Sequence, residues 1–110
     1  MANAFKNKTQ ASIGTTLTKI EAYDSPGSTE TTIIGLTIAN RVTSAIEVDV
    51  LLNDGSADFY VVKTAPVPVG GALVVVGGDQ KLVMMPGDSV KVKSDTASSA
   101  DVIMSILEIT

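Results

Sequence analysis

The chain has 110 residues, a formal charge of −4 and neither His nor Cys, which removes zinc held by its usual ligands, Ser-His-Asp and Cys-His catalysis, and disulfide staples. Its single Arg (Arg41) and scattered Lys residues leave no basic surface for nucleic acid. Its longest apolar run, Ala72 to Val76, is strand-sized and far short of the ~20 residues a bilayer-spanning helix needs.

The N-terminal stretch is polar and rich in Asn and Lys. No apolar run follows Lys6 and Lys8, so no secretory signal is expected. Residues 1–12 read as a flexible arm carrying one aromatic, Phe5, and residues 13–110 as one β-domain. The first strand is predicted over Thr15 to Tyr23, closed by the turn Asp24-Ser25-Pro26-Gly27-Ser28. The second runs from Thr31 to Asn40, with Ile34, Leu36 and Ile38 alternating with Gly35, Thr37 and Ala39. In the third, Ile46, Val48, Val50 and Leu52 point one way and Glu47, Asp49 and Leu51 the other. Asn53-Asp54-Gly55-Ser56 then forms a hairpin turn. Oxygen ligands across Asn53 to Asp58 leave a calcium loop as a second reading, although the spacing is not that of an EF-hand.

A fourth strand covers Asp58 to Lys63, with Phe59 and Tyr60 on opposite faces, one in the core. The Ala65-Pro66-Val67-Pro68-Val69 segment that follows is stiff and extended, either a connection or an edge, because proline donates no ladder hydrogen bond. Further strands are predicted at Ala72 to Val76, Lys81 to Met85 and Ser89 to Ser94. Gly77-Gly78-Asp79 ends the first of these, and Met85-Pro86-Gly87-Asp88 reads as a type II turn before the last. The final strand, Asp101 to Thr110, is apolar on both sides: Val102, Met104 and Ile106 on one, Ile103, Leu107 and Ile109 on the other. No segment keeps a 3.6-residue apolar period, so no long helix is expected. The result is an all-β, single antiparallel sandwich of Ig-like or jelly-roll-like type with an N-terminal arm.

Chemistry is sparse. The acidic residues fall at turns and on exposed strand faces. Gly70-Gly71 and Gly77-Gly78 lack the Lys-Ser/Thr of a phosphate loop. No enzyme activity and no cofactor are expected. Three features fit assembly instead. They are the arm with Phe5, the surplus apolar face of the last strand (Ile103, Leu107, Ile109), and the stiff Pro66-Val67-Pro68 segment, which loses little entropy on docking. These seven residues form the candidate interface.

Three motifs carry a resemblance. They are APVPVG at Ala65 to Gly70, KLVMMPGDSVKV at Lys81 to Val92, and SSADVIMSILEI at Ser98 to Ile109. Together with TTIIGLTIANRVTSAIEVDVLLND from Thr31 to Asp54, the chain resembles small virion structural proteins of tailed bacteriophages. That resemblance implies a virion component assembled in the host cytoplasm. Its expected partners are its own copies and other virion proteins, such as the major capsid protein or a tail or neck protein, with neither nucleic acid nor membrane among them. A capsid decoration (cement) protein is the leading expectation. A neck, tail or fibre accessory, or a carbohydrate- or receptor-binding β-module, is the alternative.

Overall fold

The computed structural model describes residues 3–77 and 80–110. Met1 and Ala2 of the expected arm, and Gly78 and Asp79 of the Gly77-Gly78-Asp79 turn, lie outside the described residues. Among the described residues there are nine strands: β1 (Asn3–Ile13), β2 (Thr18–Asp24), β3 (Glu30–Asn40), β4 (Ile46–Asn53), β5 (Asp58–Val67), β6 (Ala72–Val76), β7 (Leu82–Met84), β8 (Ser89–Ser94) and β9 (Ala100–Ile109). There is no helix among the described residues.

The strands form two packed antiparallel sheets. Sheet A has the order β1-β9-β3-β6, with β7 also pairing β3, and sheet B the order β2-β8-β4-β5. β6 and β7 pair with successive parts of β3 and act as one broken strand. Counted that way, the strand order is that of a jelly roll, which decides between the two sandwich types the sequence allows. Only β4–β5 is a hairpin between chain neighbours in sheet B. The other strands of both sheets are brought together by connections that cross the sandwich or pass over its ends.

Mostly β-branched residues, with Leu36, Met84 and Met104 among them, fill the gap between the sheets. Ile33, Leu36 and Ile38 of β3, Val48 and Val50 of β4, Val90 and Val92 of β8, and Val102, Met104 and Ile106 of β9 form one core with Ile13, Ile20 and Met84. Each fully buried side chain of this size contributes about 1.5–3 kcal/mol relative to exposure. β4 follows its alternation except at Leu51, which is buried on the outer side of sheet B between its neighbours Tyr60 and Lys91.

Several expectations are corrected. The arm is a strand: residues 3–13 form β1, paired with β9 from Asn3↔Ile109 to Gln10↔Val102 without a shift. β1 escapes an alternation reading because its inward positions are Ala4, Lys6, Lys8 and Gln10, which face β2 and β9 rather than the apolar core. In β3 a bulge between Ile33 and Gly35 turns Ile33 into the core and leaves Ile34 outside. Phe59 and Tyr60 are both about half exposed, so neither is a core residue. Asn53 to Asp58 is a tight turn whose oxygens are engaged locally. Asp54 Oδ1 accepts from the backbone N–H of Ser56 and Ala57, and Asn53 Nδ2 donates to Asp58 Oδ1. The Met85 to Asp88 turn closes as expected, with Asp88 N–H donating to the Met85 carbonyl at 2.9 Å and Gly87 at φ 89°.

The proline segment continues β5 as an edge strand, Pro66 opposite Glu47 and Val67 opposite Ile46. Val67 is fully buried in the core and is therefore not an interface residue, while Pro66 and Pro68 are exposed. Val67→Ala is expected to lower stability by about 1–2 kcal/mol through lost methyl burial. Pro66→Ala is expected to stay within about 0.5 kcal/mol of the parent in the same denaturant titration.

Candidate interaction face

Directly opposed residues in antiparallel strands share a face, so the register of sheet A fixes what its outer side displays. One row runs Phe5–Leu107–Thr32–Val83 across β1, β9, β3 and β7. The next holds Asn7, Ser105 and Gly35, beside the bulged Ile34. A third runs Thr9–Ile103–Thr37–Val74 across β1, β9, β3 and β6. These central rows carry no charged side chain. Glu30, beside Ile109, lies at one end and Asp101, beside Ala39, at the other, and Lys81 precedes β7 at the margin.

Large apolar groups stand in water on this face. Phe5 is 77% exposed, Val74 64% and Ile103 55%, with Val83 also about half exposed. A shallow depression of about 370 Å³ opens between β1, β9 and the β3 bulge, lined by Phe5, Lys6, Asn7, Ile34, Ser105 and Ile106. Exposed apolar side chains set among uncharged polar ones, with no charge between them, are the composition of an interface centre rather than of an ordinary surface.

The outer face of sheet B differs. Its corresponding row is Lys19–Lys91–Leu51–Tyr60, followed by Lys93 beside Asp49. Lys63 covers the Tyr60 ring at 5.1 Å, and Asp49 accepts the Thr64 N–H at 2.7 Å. The two sides of the sandwich are thus chemically unlike, and the uncharged one is the candidate site.

Of the residues singled out in the sequence, Phe5, Ile103, Leu107 and Ile109 come together on this face. Pro66 and Pro68 lie at the opposite sheet's β5 edge and are not part of it. Sequence reasoning missed Ile34, Val74, Val83 and the threonines Thr32 and Thr37. The signal for Val74 was present in the apolar run of β6, which has more apolar residues than one buried face can use.

A second cluster closes one end of the sandwich from inside. Glu108 occupies an inward position of β9 and is buried. The Tyr23 hydroxyl, from β2 of the other sheet, donates to Glu108 Oε2 at 2.5 Å, and Lys6 Nζ lies 2.8 Å from Oε1. Thr31 Oγ1 lies 3.0 Å from the Tyr23 hydroxyl and 2.8 Å from Ser25 Oγ. Lys8 sits over the Tyr23 ring and pairs with Glu21 at 3.4 Å. Lys6 and Tyr23 hold the Glu108 carboxyl below its usual range, while burial, then Glu108 itself, pushes the Tyr23 hydroxyl up to about 12. The carboxylate is charge-balanced and fully hydrogen-bonded, which makes this a clasp between sheets rather than a poised acid.

These features define an antiparallel jelly roll with one charged and one uncharged outer face. No family model matches the chain, and no curated protein matches it.

Proposed function

We propose that this chain is a non-enzymatic structural protein of a bacteriophage virion, first of all a capsid decoration protein that multimerises on the particle and docks through the outer face of sheet A. The observation that carries this reading is the uncharged centre of that face, with Phe5, Val74 and Ile103 in water. Such side chains favour burial against a partner, and the absence of charge there spares the complex a desolvation cost. The jelly-roll order adds support by analogy alone, since the same architecture serves viral capsid domains and unrelated binding proteins. The resemblance of the Thr31 to Thr110 region to tailed-phage virion proteins supplies the particle as partner. A repeated lattice would turn modest contacts into firm attachment.

The test is co-sedimentation with particles of the phage that encodes the chain, prepared without it. Ile103→Asp combined with Val74→Asp is expected to weaken attachment at least tenfold, since anchors of this kind carry over 1 kcal/mol each. Its melting temperature should stay close to the parent's. Undiminished attachment by this variant would remove sheet A as the docking face.

A further inference from the structure

Each sandwich edge is a row of unpaired peptide groups, and three of the four edges here are blunted. β5 carries Pro66 and a left-handed Thr64 (φ 54°), with register shifts against β4. β2 is interrupted by left-handed Glu21 and Ala22. The far side of sheet A is divided between the short β6 and β7. The edge of β1 is different, because its pairing with β9 is regular from Asn3 to Gln10. Near its C-terminal end, Glu21 Oε1 accepts the Thr9 N–H at 3.2 Å. That bond points away from β9, and alternation along a strand then turns the peptide groups of Asn3, Phe5 and Asn7 to the same open side.

We propose that two copies of this chain join along β1, edge to edge and antiparallel, about a two-fold axis at Phe5. The register follows from the side chains. Two-fold pairing sets one residue opposite itself, and inward residues must meet inward residues. An axis at Lys6 or Lys8 places like charges face to face, and an axis at Asn7 sets Lys6 against Lys8 of the second copy. An axis at Thr9 meets an N–H already held by Glu21. An axis at Ala4 shortens the ladder and leaves Asn7 out. At Phe5 every pairing is compatible: Lys6 opposes Ala4, Asn7 opposes Asn3, and the two Phe5 rings meet on the outer side. Opposed pairs 3–7, 5–5 and 7–3 are then the hydrogen-bonded kind, which gives roughly six new backbone hydrogen bonds. The two A sheets merge into one. The strand pairing stands on the edge geometry alone. Only its consequence, a docking face of doubled extent, rests on the function proposed above.

The natural absence of cysteine makes the register testable in the free protein, with no particle present. Phe5→Cys brings two thiols to positions about 5.5 Å apart at Cα, within disulfide range, and mild oxidation is expected to give a covalent dimer. Asn7→Cys sets its two thiols about 13–14 Å apart and is expected to stay monomeric on a denaturing gel. In sedimentation velocity the unmodified protein should run as a dimer. Asn7→Pro deletes one outward N–H, leaves the β9 ladder intact, and should weaken the dimer at least tenfold with an unchanged far-UV spectrum, its melting temperature falling only by the stabilisation that association gives the parent. A parent protein that sediments as a monomer, equal cross-linking at positions 5 and 7, or an Asn7→Pro dimer as tight as the parent's would each overturn the proposal. The Ile103→Asp, Val74→Asp variant with Phe5→Cys added should still cross-link, so loss of docking and loss of dimerisation read out separately.

Discussion

Ile38→Ala is expected to lower the stability of the domain by about 2–5 kcal/mol, the range for deleting most of a large aliphatic side chain from a packed core. Ile38 has no solvent exposure and lies near the middle of sheet A, opposite Val102 of β9 and Leu73 of β6. The neighbours on both sides belong to hydrogen-bonded strands, so they have little freedom to collapse into the space left behind. Domains of this size are held by only about 5–15 kcal/mol in total, so the loss is a large share. The melting temperature should fall on the order of 10–20 °C. Ile103→Ala is the matched control on the next strand, because Ile103 projects from the outer side of the same sheet. Its effect in the same thermal scan should stay within about 0.5 kcal/mol. Equal losses at the two positions would mean that the inside and outside of sheet A are wrongly assigned.

The second large effect is expected at Glu108. Replacing it with Ala removes two charge-assisted hydrogen bonds and leaves the Tyr23 hydroxyl with Thr31 as its remaining partner. The expected loss is about 2–3 kcal/mol, and Glu108→Gln should lose less because it keeps an acceptor. The same cluster sets two limits in pH. The Glu108 carboxyl is held below its ordinary value of 4.5, first by Lys6 and then by Tyr23. The unfolded chain therefore takes up a proton first as pH falls. This stabilisation is complete above about 4.5 and is lost as pH drops through the lower folded value. Tyr23 runs the other way, its proton retained to about 12 against 10.0 when unfolded. The unfolded chain ionises first as pH rises, so stability declines between about 10 and 12. Chemical denaturation at a series of pH values should show both arms. Glu108→Gln should flatten the acid arm, and Tyr23→Phe the alkaline one. An unchanged acid arm in Glu108→Gln would show that the carboxylate is not held by this cluster.

Much of the fold was legible because most strands face one apolar side and one wet side. β6 and β8 begin and end where the apolar and turn residues say they should, and the alternation of β4 is visible as far as Val50. β1 was not legible. Its sequence, NAFKNKTQASI, has no apolar period, because it is an edge strand whose inward side is filled by lysines reaching Glu108 and Glu21. The clue to it lay elsewhere, in the two apolar sides of β9. A strand flanked on both sides by β1 and β3, with the core beneath it and the uncharged face above it, keeps apolar residues on both sides. The bulge at Ile33 and Gly35 is invisible to any reading by strict alternation, since one extra residue exchanges inside for outside. Half the candidate face was equally hidden. Val74 and Val83 join Ile103 and Leu107 only through pairings between strands distant in the chain. The Pro66-Val67-Pro68 segment is the edge that its prolines allow, and only Val67 departs from the expected interface, because an edge strand tolerates prolines at its open side and still buries the valine between them.

The difference between the two outer surfaces bears on how far any assembly can grow. A molecule adhesive on both flanks would stack without limit. Here the side opposite the greasy one is hydrated by Lys19, Lys91, Lys93 and Asp49. On the function proposed above, a copy docked by its greasy flank turns a wet ionic skin outward, and accretion then stops at a coat one molecule thick.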